Sequence, residues 1–337
     1  MKDGKLKEYL KLTRIEYAGF SCVIVIGALS VAGEGLSLSH ALMLFFLNVL
    51  TLIWGFAHND YCDYEIDRIP DVLSERPLVK GTVSRRAAVV IVAVCIAVNL
   101  FIPLIFIRSL TLTGILVLSM VLAALYNMYS KKFVGADVLY AGSAALLVLF
   151  GAVSATGDQT MAHLGGLAWV MIIFQFIDHF FFNAVEGGLK DVVNDQRAGV
   201  KTIATALVIQ NGGSMTLAGS FKAVFMTVKI VTVLLIFIPH VFMGFPLSGW
   251  QVAALLLLGL CAILYTIKIL AITSFNREQI GGYALKQELA CKLLVPVMLC
   301  NFIGLPWTLF LLFVPLLWFH FFNYLLHGKL FALPKSF

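Results

Sequence analysis

The chain has 337 residues and a formal charge of +6, yet 61% of it is hydrophobic, only 12% is charged, and its mean hydropathy is +0.96. That composition excludes a soluble globular domain. The positive balance comes without any basic run interleaved with stacking aromatics, which excludes nucleic acid as the partner. What remains is an all-α, polytopic membrane protein surrounded by membrane lipids.

About 20 apolar residues are needed to cross the hydrocarbon layer. Nine such transmembrane segments are predicted, at 15–33, 40–58, 87–107, 110–130, 137–156, 163–185, 215–243, 250–274 and 293–326. The charged opening, residues 1–14, lacks a small-residue cleavage site before the first span and reads as a retained interfacial helix. In the first span Ser21, Gly27 and Gly33 are small enough to admit a close neighbour. The second span carries a stripe of Asn48, Thr51, Gly55 and Asn59, for which helix–helix hydrogen bonding and cavity lining are the two readings.

The stretch 59–86 holds most of the chemistry. Continued as a helix, it sets Asn59, Asp63 and Asp67 at i, i+4 and i+8, with Asp60 three and seven residues before the two later acids, so carboxylates crowd one face. Like charges so placed call for a cation among them. Hard oxygen ligands point to Mg2+ together with a phosphate-bearing substrate, the alternative being a solvated acidic cap. Pro70 and Pro77 then break regularity. Among Arg68, Arg76, Lys80, Arg85 and Arg86, the guanidinium of Arg76 is the one singled out for bidentate phosphate binding.

The fourth span ends near Tyr126 and Lys131, which taken alone look like an interfacial anchor. The sixth repeats the design of the second: Gln175, Asp178 or His179, Asn183 and Glu186 lead to Lys190, Asp191, Asp195 and Lys201, with Asp191 and Asp195 at i, i+4. Asp178 or His179 is the candidate general base of this stretch. Two carboxylate sets, each closing an apolar span on the same predicted side, imply an internal duplication. The expected organisation is a single domain over 1–337, with halves at about 14–135 and 136–274, a final span 293–326, and two aspartate-rich loops facing a central cavity.

Eighteen of the 24 Lys and Arg fall at the amino terminus or in the loops on its side; only Arg108, Lys329 and Lys335 fall opposite. The amino terminus and both acidic loops are therefore expected in the cytoplasm. Lys222, Lys229 and Lys268 lie in or near spans and are read as snorkelling, the alternative being a functional charge. The six cysteines show no metal-ligand or CxxC spacing and read as small core residues. His320, Asn323 and His327 share a spacing of three and four, but without a carboxylate and on the side opposite the acids they read as an interfacial helix. The segment 275–292 reads as a lid or a connector.

The run Asn59-Asp60-x-x-Asp63-x-x-x-Asp67, continued by Arg76-Pro77-Leu78, Gly81 and Ser84, resembles the first aspartate motif of the UbiA superfamily of intramembrane prenyltransferases. Asp191-x-x-x-Asp195, followed by Ala198-Gly199-Val200-Lys201-Thr202, resembles its second. The resemblance implies Mg2+ held by Asn59, Asp63, Asp67, Asp191 and Asp195, with Asp63, Asp67, Asp191 and Asp195 catalytic. It also implies a substrate-binding set of Asn59, Asp60, Arg76, Tyr126, Lys131, Asn183, Lys190 and Lys201. In that superfamily a tyrosine about one turn before a lysine contacts diphosphate; here Tyr126 and Lys131 are five residues apart. Gly187, Gly188 and Lys190 stand where many members carry further charged residues, so the acceptor side departs from the pattern. The implied function is Mg2+-dependent transfer of a prenyl group from an isoprenyl diphosphate to an aromatic or lipid acceptor in the membrane. A terpene cyclase of the same superfamily and a cation-coupled transporter are the alternatives.

Overall fold

A computed structural model describes residues 2–69, 73–211 and 214–328. Pro70, Lys329 and Lys335, named above, lie outside them. In chain order the helices are α1 (Lys2–Leu12), α2 (Ile15–Ala18), α3 (Val23–Ala32), α4 (Leu38–Cys62), α5 (Tyr64–Asp67), α6 (Arg85–Phe101), α7 (Leu110–Tyr129), α8 (Asp137–Ser154) and α9 (Gly166–Phe181). A wide π-helical turn, Phe182–Gly187, joins α9 to α10 (Gly188–Arg197), and α11 (Ile203–Leu207) leads into an antiparallel hairpin of β1 (Val208–Asn211) and β2 (Ser214–Leu217). Then follow α12 (Gly219–Leu235), α13 (Ile238–Met243), α14 (Gly249–Leu270) and α15 (Arg277–His327).

Eight described helical stretches are long and apolar enough to cross a membrane, so the chain is a multi-pass helical membrane protein. The expected nine single spans do not appear as such. The segment 215–243 opens in β2, and its helix α12 stops after 17 residues, just ahead of Pro239 in α13. Proline has no amide donor and crowds the preceding turn, so the two helices do not merge. The final span 293–326 is replaced by α15, 51 residues long, which absorbs the connector 275–292 into helix and is interrupted at Gly304, where φ is 72° and ψ 169°. Only glycine adopts that backbone without strain, and Pro306 follows two residues on. Each arm of α15, 277–303 and 305–327, is long enough at 1.5 Å per residue to cross a ~30 Å hydrocarbon layer.

The chain divides into two compact units: Met1–Met128 with Leu146–Leu164 and Leu309–Phe337, and Tyr129–Ala145 with Gly165–Thr308. In the first, α3 and α8 cross at glycines. A Cβ on Gly27 would stand 2.0 Å from the Val148 carbonyl oxygen, and one on Gly151 would stand 1.8 Å from that of Ile24. The stripe on α4 is spent on its neighbours: Asn48 Nδ2 donates to the Ser21 carbonyl (2.6 Å), Thr51 Oγ1 to Asn99 (3.5 Å), and the Gly55 carbonyl accepts from Asn127 (3.1 Å). Asn48 is therefore a helix–helix bond.

The far arm of α15 lies along α4. Phe310 and Trp318 meet the Phe45 ring (6.1 and 5.6 Å), Trp318 Nε1 donates to the Ile15 carbonyl (2.7 Å), and His327 Nε2 comes within 3.6 Å of Glu16 Oε1. That arm runs toward the end of α4 that bears Asp60, which overturns the expectation that His320, Asn323 and His327 lie on the side away from the acids. Asn323 is wholly buried and Glu16 supplies a carboxylate that the local sequence lacked. In the second unit an apolar core of Phe181, Val185, Leu189, Val192, Phe221, Phe225 and Ile280 ties the end of α9 and α10 to α12 and the start of α15.

Candidate active site

The first carboxylate centre stands at the end of α4. The helix breaks at Asp63, yet the amide of Asp63 still donates to the Asn59 carbonyl and that of Asp67 to the Asp63 carbonyl, both at 2.9 Å. The helical spacing read from the sequence thus survives the break. Asn59 Nδ2 donates to Asp63 Oδ2 at 3.2 Å. Asp60, Asp63 and Asp67 are all buried. Their charge is met by two guanidinium groups: Arg14 Nη2 bonds Asp60 Oδ1 at 2.6 Å, while Arg76 Nη1 bonds Asp67 and lies 3.5 Å from Asp60 Oδ1. Burial still pushes the Asp67 carboxyl above its ordinary range, against the pull of Arg76.

Local backbone chemistry accounts for the rest of the motif. Gly81 takes a left-handed turn (φ 75°), which glycine alone adopts freely. Ser84 Oγ accepts the Ala87 amide at 3.2 Å and caps α6. Arg14 is the participant that sequence reasoning missed. It was counted among the terminal positive charges, and its role follows from a left-handed backbone (φ 43°) and from stacking over the Phe56 ring at 5.3 Å.

The second centre lies in the other unit. Lys131 Nζ grips both oxygens of Asp195 at 2.8 and 3.0 Å, and Arg277 Nη2 bonds Asp191 Oδ1 at 3.0 Å. Asn183 Nδ2 donates to Asp137 Oδ1 at 2.7 Å. Lys201 enters through its backbone, whose amide donates to the Lys131 carbonyl at 3.2 Å; its side chain is exposed. Lys190 is half-buried on α10. Tyr126, half-buried on α7, belongs to the first unit and Lys131 to the second. Arg277 and Asp137 were both missed. Nothing local marks them, since Arg277 sat in a segment without a decisive pattern and Asp137 opens a span like any helix-start acid.

One expectation fails in this unit. Lys229 does not snorkel: it is 1% exposed, its ammonium bonds Asp178 Oδ1 at 3.1 Å, and it sits 4.0 Å over the Phe181 ring. Asp178 is therefore engaged in an ion pair, and His179 bonds Gln175 and stacks on Tyr140 at 5.6 Å. The six cysteines are free thiols.

Among the described residues no three His, Cys, Asp or Glu side chains by themselves enclose a metal ion. The donor set still suits Mg2+, which takes one or two carboxylates and completes its shell with water and substrate phosphate. Each centre also holds cations next to its carboxylates, the complement that a diphosphate needs.

Residues 20–281 match the UbiA prenyltransferase family. The chain is 28% identical over 207 residues to a 4-hydroxybenzoate octaprenyltransferase of Marinomonas sp. (strain MWYL1), covering 60% of this chain and 70% of that one. It is 28% identical over 204 residues to a digeranylgeranylglyceryl phosphate synthase of Thermococcus kodakarensis, covering 59% and 68%. Among solved structures, the apo UbiA homolog from Aeropyrum pernix K1 superposes with a TM-score of 0.67 at 21% identity over 86% of this chain and 98% of that one. A UbiA homolog from Archaeoglobus fulgidus bound to GPP and Mg2+ gives 0.58 at 16% identity over 88% and 100%. The likeness in fold, the two carboxylate centres and the family match over most of its length make this chain a member of the UbiA prenyltransferase family.

Proposed function

We propose that the protein transfers a prenyl group from an isoprenyl diphosphate to a hydrophobic aromatic or lipid acceptor within the membrane, with Mg2+ held by Asn59, Asp63, Asp67, Asp191 and Asp195. The observation that carries this reading is the pairing in each centre of buried carboxylates with guanidinium or ammonium groups: Arg14 and Arg76 in the first, Lys131 and Arg277 in the second. Carboxylates alone would serve a cation, and cations alone a phosphate. Their combination suits a metal-bound diphosphate. The GPP and Mg2+ bound by the Archaeoglobus homolog support the same reading.

Bound Mg2+ supplies charge neutralisation to the diphosphate as it leaves. Asp63, Asp67, Asp191 and Asp195 would supply the ion's carboxylate ligands. Arg76 presents a planar fork that matches two phosphate oxygens, and Lys131 adds a point charge. Tyr126, Asn183, Lys190 and Lys201 complete the substrate-binding set, Lys201 by holding Lys131 through the backbone. The prenyl tail runs among apolar span residues, where water cannot intercept the allylic cation. The amino terminus and both acidic segments face the cytoplasm on this reading, supported by the Lys and Arg asymmetry of the chain.

Purified protein in liposomes with GPP, Mg2+ and a panel of phenolic and glycerol-ether acceptors tests the assignment. Asp63→Ala and Asp191→Ala are each expected to lower turnover at least ~100-fold, and chelation of Mg2+ to abolish it. Undiminished turnover in both variants, or turnover that persists under excess chelator, refutes the assignment.

A further inference from the structure

The outward side of α1 is apolar at its centre and basic at its edges. Leu6, Tyr9 and Leu10 stand at i, i+3 and i+4, so they share one side of the helix. Leu6 is 62% and Tyr9 37% exposed, while Leu10 packs on the cluster of Ile15, Ala18 and Val49. Lys5, exposed, and Lys7, half-buried, flank that stripe on opposite sides. Two residues separate Leu12 from the first span, Ile15–Gly35, which sets α1 at the membrane boundary. An exposed leucine and tyrosine between lysines at that level is the pattern of a helix seated among lipid headgroups. The inward side of α1 is tied to the first carboxylate centre. Leu12 is wholly buried in a cluster with Leu78 and Val83, which follow Arg76 in the chain. Thr82 Oγ1 donates to Glu8 Oε2 at 2.8 Å, and Lys11 Nζ donates to Glu8 Oε1 at 2.7 Å. Arg14, two residues past the end of α1, then takes its left-handed backbone and bonds Asp60. A non-glycine residue holds that conformation only where its surroundings impose it.

We propose that α1 is a docking surface for the headgroups of anionic phospholipids in the bilayer, and that this docking holds Arg14 on Asp60. Lys5 and Lys7 meet the lipid phosphates while Leu6 and Tyr9 enter the interfacial layer. Charge complementarity selects the partner: the carboxylate of Glu8 is turned inward onto Thr82 and Lys11, which leaves lysines at the edges of the outward side. A zwitterionic surface offers α1 only the apolar contact, whereas an anionic one favours each nearby lysine by about 5-fold more. With α1 seated, Glu8 and Leu12 stay on the loop after Arg76, and Arg14 stays on Asp60. With α1 lifted, Arg14 loses the turn that aims it. Affinity for the diphosphate therefore rises with the negative charge of the bilayer. That is the reverse of what the surface alone would do, since a negative surface repels a diphosphate. The effect on affinity rests on the prenyl-transfer reading; the docking of α1 does not.

The test places the full chain in nanodiscs of phosphatidylcholine alone or with about one-third phosphatidylglycerol. Chymotryptic cleavage at Tyr9 reads the docking of α1, and equilibrium titration with GPP and Mg2+ reads the site. Wild type is expected to be cut about 10-fold or more slowly, and to bind GPP about 5-fold or more tightly, in the anionic discs. In Lys5→Gln/Lys7→Gln both differences shrink to about 2-fold or less. The control Lys222→Gln/Lys268→Gln removes two exposed charges from elsewhere in the chain and keeps both. Arg14→Ala keeps the protection of Tyr9 but loses the lipid effect on GPP, because the coupling passes through its guanidinium. Equal cleavage of wild type in the two kinds of disc overturns the proposal, as does a lipid effect that survives in Lys5→Gln/Lys7→Gln or vanishes in the control. Protection that appears in phosphatidylcholine as protein concentration rises makes a second copy the occupant and also overturns it. Protection without any change in GPP affinity overturns the coupling to Arg14. Failure to bind GPP in either disc instead sinks the prenyl-transfer reading, and the cleavage rates still decide the docking of α1.

Discussion

Replacing Lys229 by methionine tests whether the charge inside the second unit is held by its partner. The ammonium lies 3.1 Å from Asp178 Oδ1, and the two side chains are 1% and 13% exposed. At that separation the Coulomb attraction is ~5 kcal/mol with an effective dielectric constant of 20. The cost of stripping water from both ions offsets most of it, so the intact pair adds little net stability. Removing one partner is different, because the other is left charged in an apolar surround, at a cost of about 3–5 kcal/mol. Lys229→Met and Asp178→Leu are each expected to destabilise by that amount, whereas the double variant returns to within about 1–2 kcal/mol of wild type. Thermal unfolding in detergent, followed by labelling of the buried Cys291 thiol, reads the difference. If the double variant loses the sum of the two single losses, the ion pair is not the reason these residues are tolerated there.

Two further predictions follow from the first unit. Arg14→Ala removes the guanidinium 2.6 Å from Asp60 and is expected to weaken Mg2+-dependent binding of GPP about 10-fold, with Arg14→Lys intermediate; equal binding by all three proteins in an equilibrium titration removes Arg14 from the site. Gly27→Ala and Gly151→Ala drive a methyl into backbone oxygens 2.0 and 1.8 Å away, and each is expected to cost about 1–3 kcal/mol or more. Gly55→Ala meets nothing within 4 Å and serves as the control, so equal melting temperatures for all three would refute the close-crossing argument.

The parts of this protein legible in its sequence are those governed by local periodicity. Span positions follow from runs of apolar residues, and the carboxylate clusters follow from spacings of three and four, because both depend on residues near each other in the chain. Gly27 was readable as a close-contact residue because small side chains in an apolar span have few other uses. What the sequence hid depends on distant segments meeting. Arg14 and Arg277 look like ordinary boundary charges until the fold sets them on Asp60 and Asp191. Lys229 looked like a snorkelling lysine because its partner, Asp178, lies on another helix. Prolines at 296, 306 and 315 signal that the last span is not one straight helix, and only the backbone shows that the departure falls at Gly304.

The identity of the resident cations bears on how buried carboxylates are held close together. Asp60 near the end of α4 and Asp67 on α5 are buried seven residues apart and would repel one another if left bare; Arg14 and Arg76 hold them. In the second unit Asp191 and Asp195 are kept in place by Arg277 and Lys131. The same guanidinium and ammonium groups are the ones suited to phosphate oxygens. On the proposed reading, charge balance would be preserved on binding of a Mg2+-bound diphosphate if each cation exchanged a carboxylate for a phosphate oxygen. Such an exchange needs side chains that can swing, and Arg14 and Lys131 are the more exposed of the four cations, at 27% and 22% against 12% for Arg76 and 14% for Arg277. It does not suit the Lys229–Asp178 pair, which is sealed from solvent. The fold thus sets partly exposed ion pairs at the span ends apart from a nearly sealed one within the span.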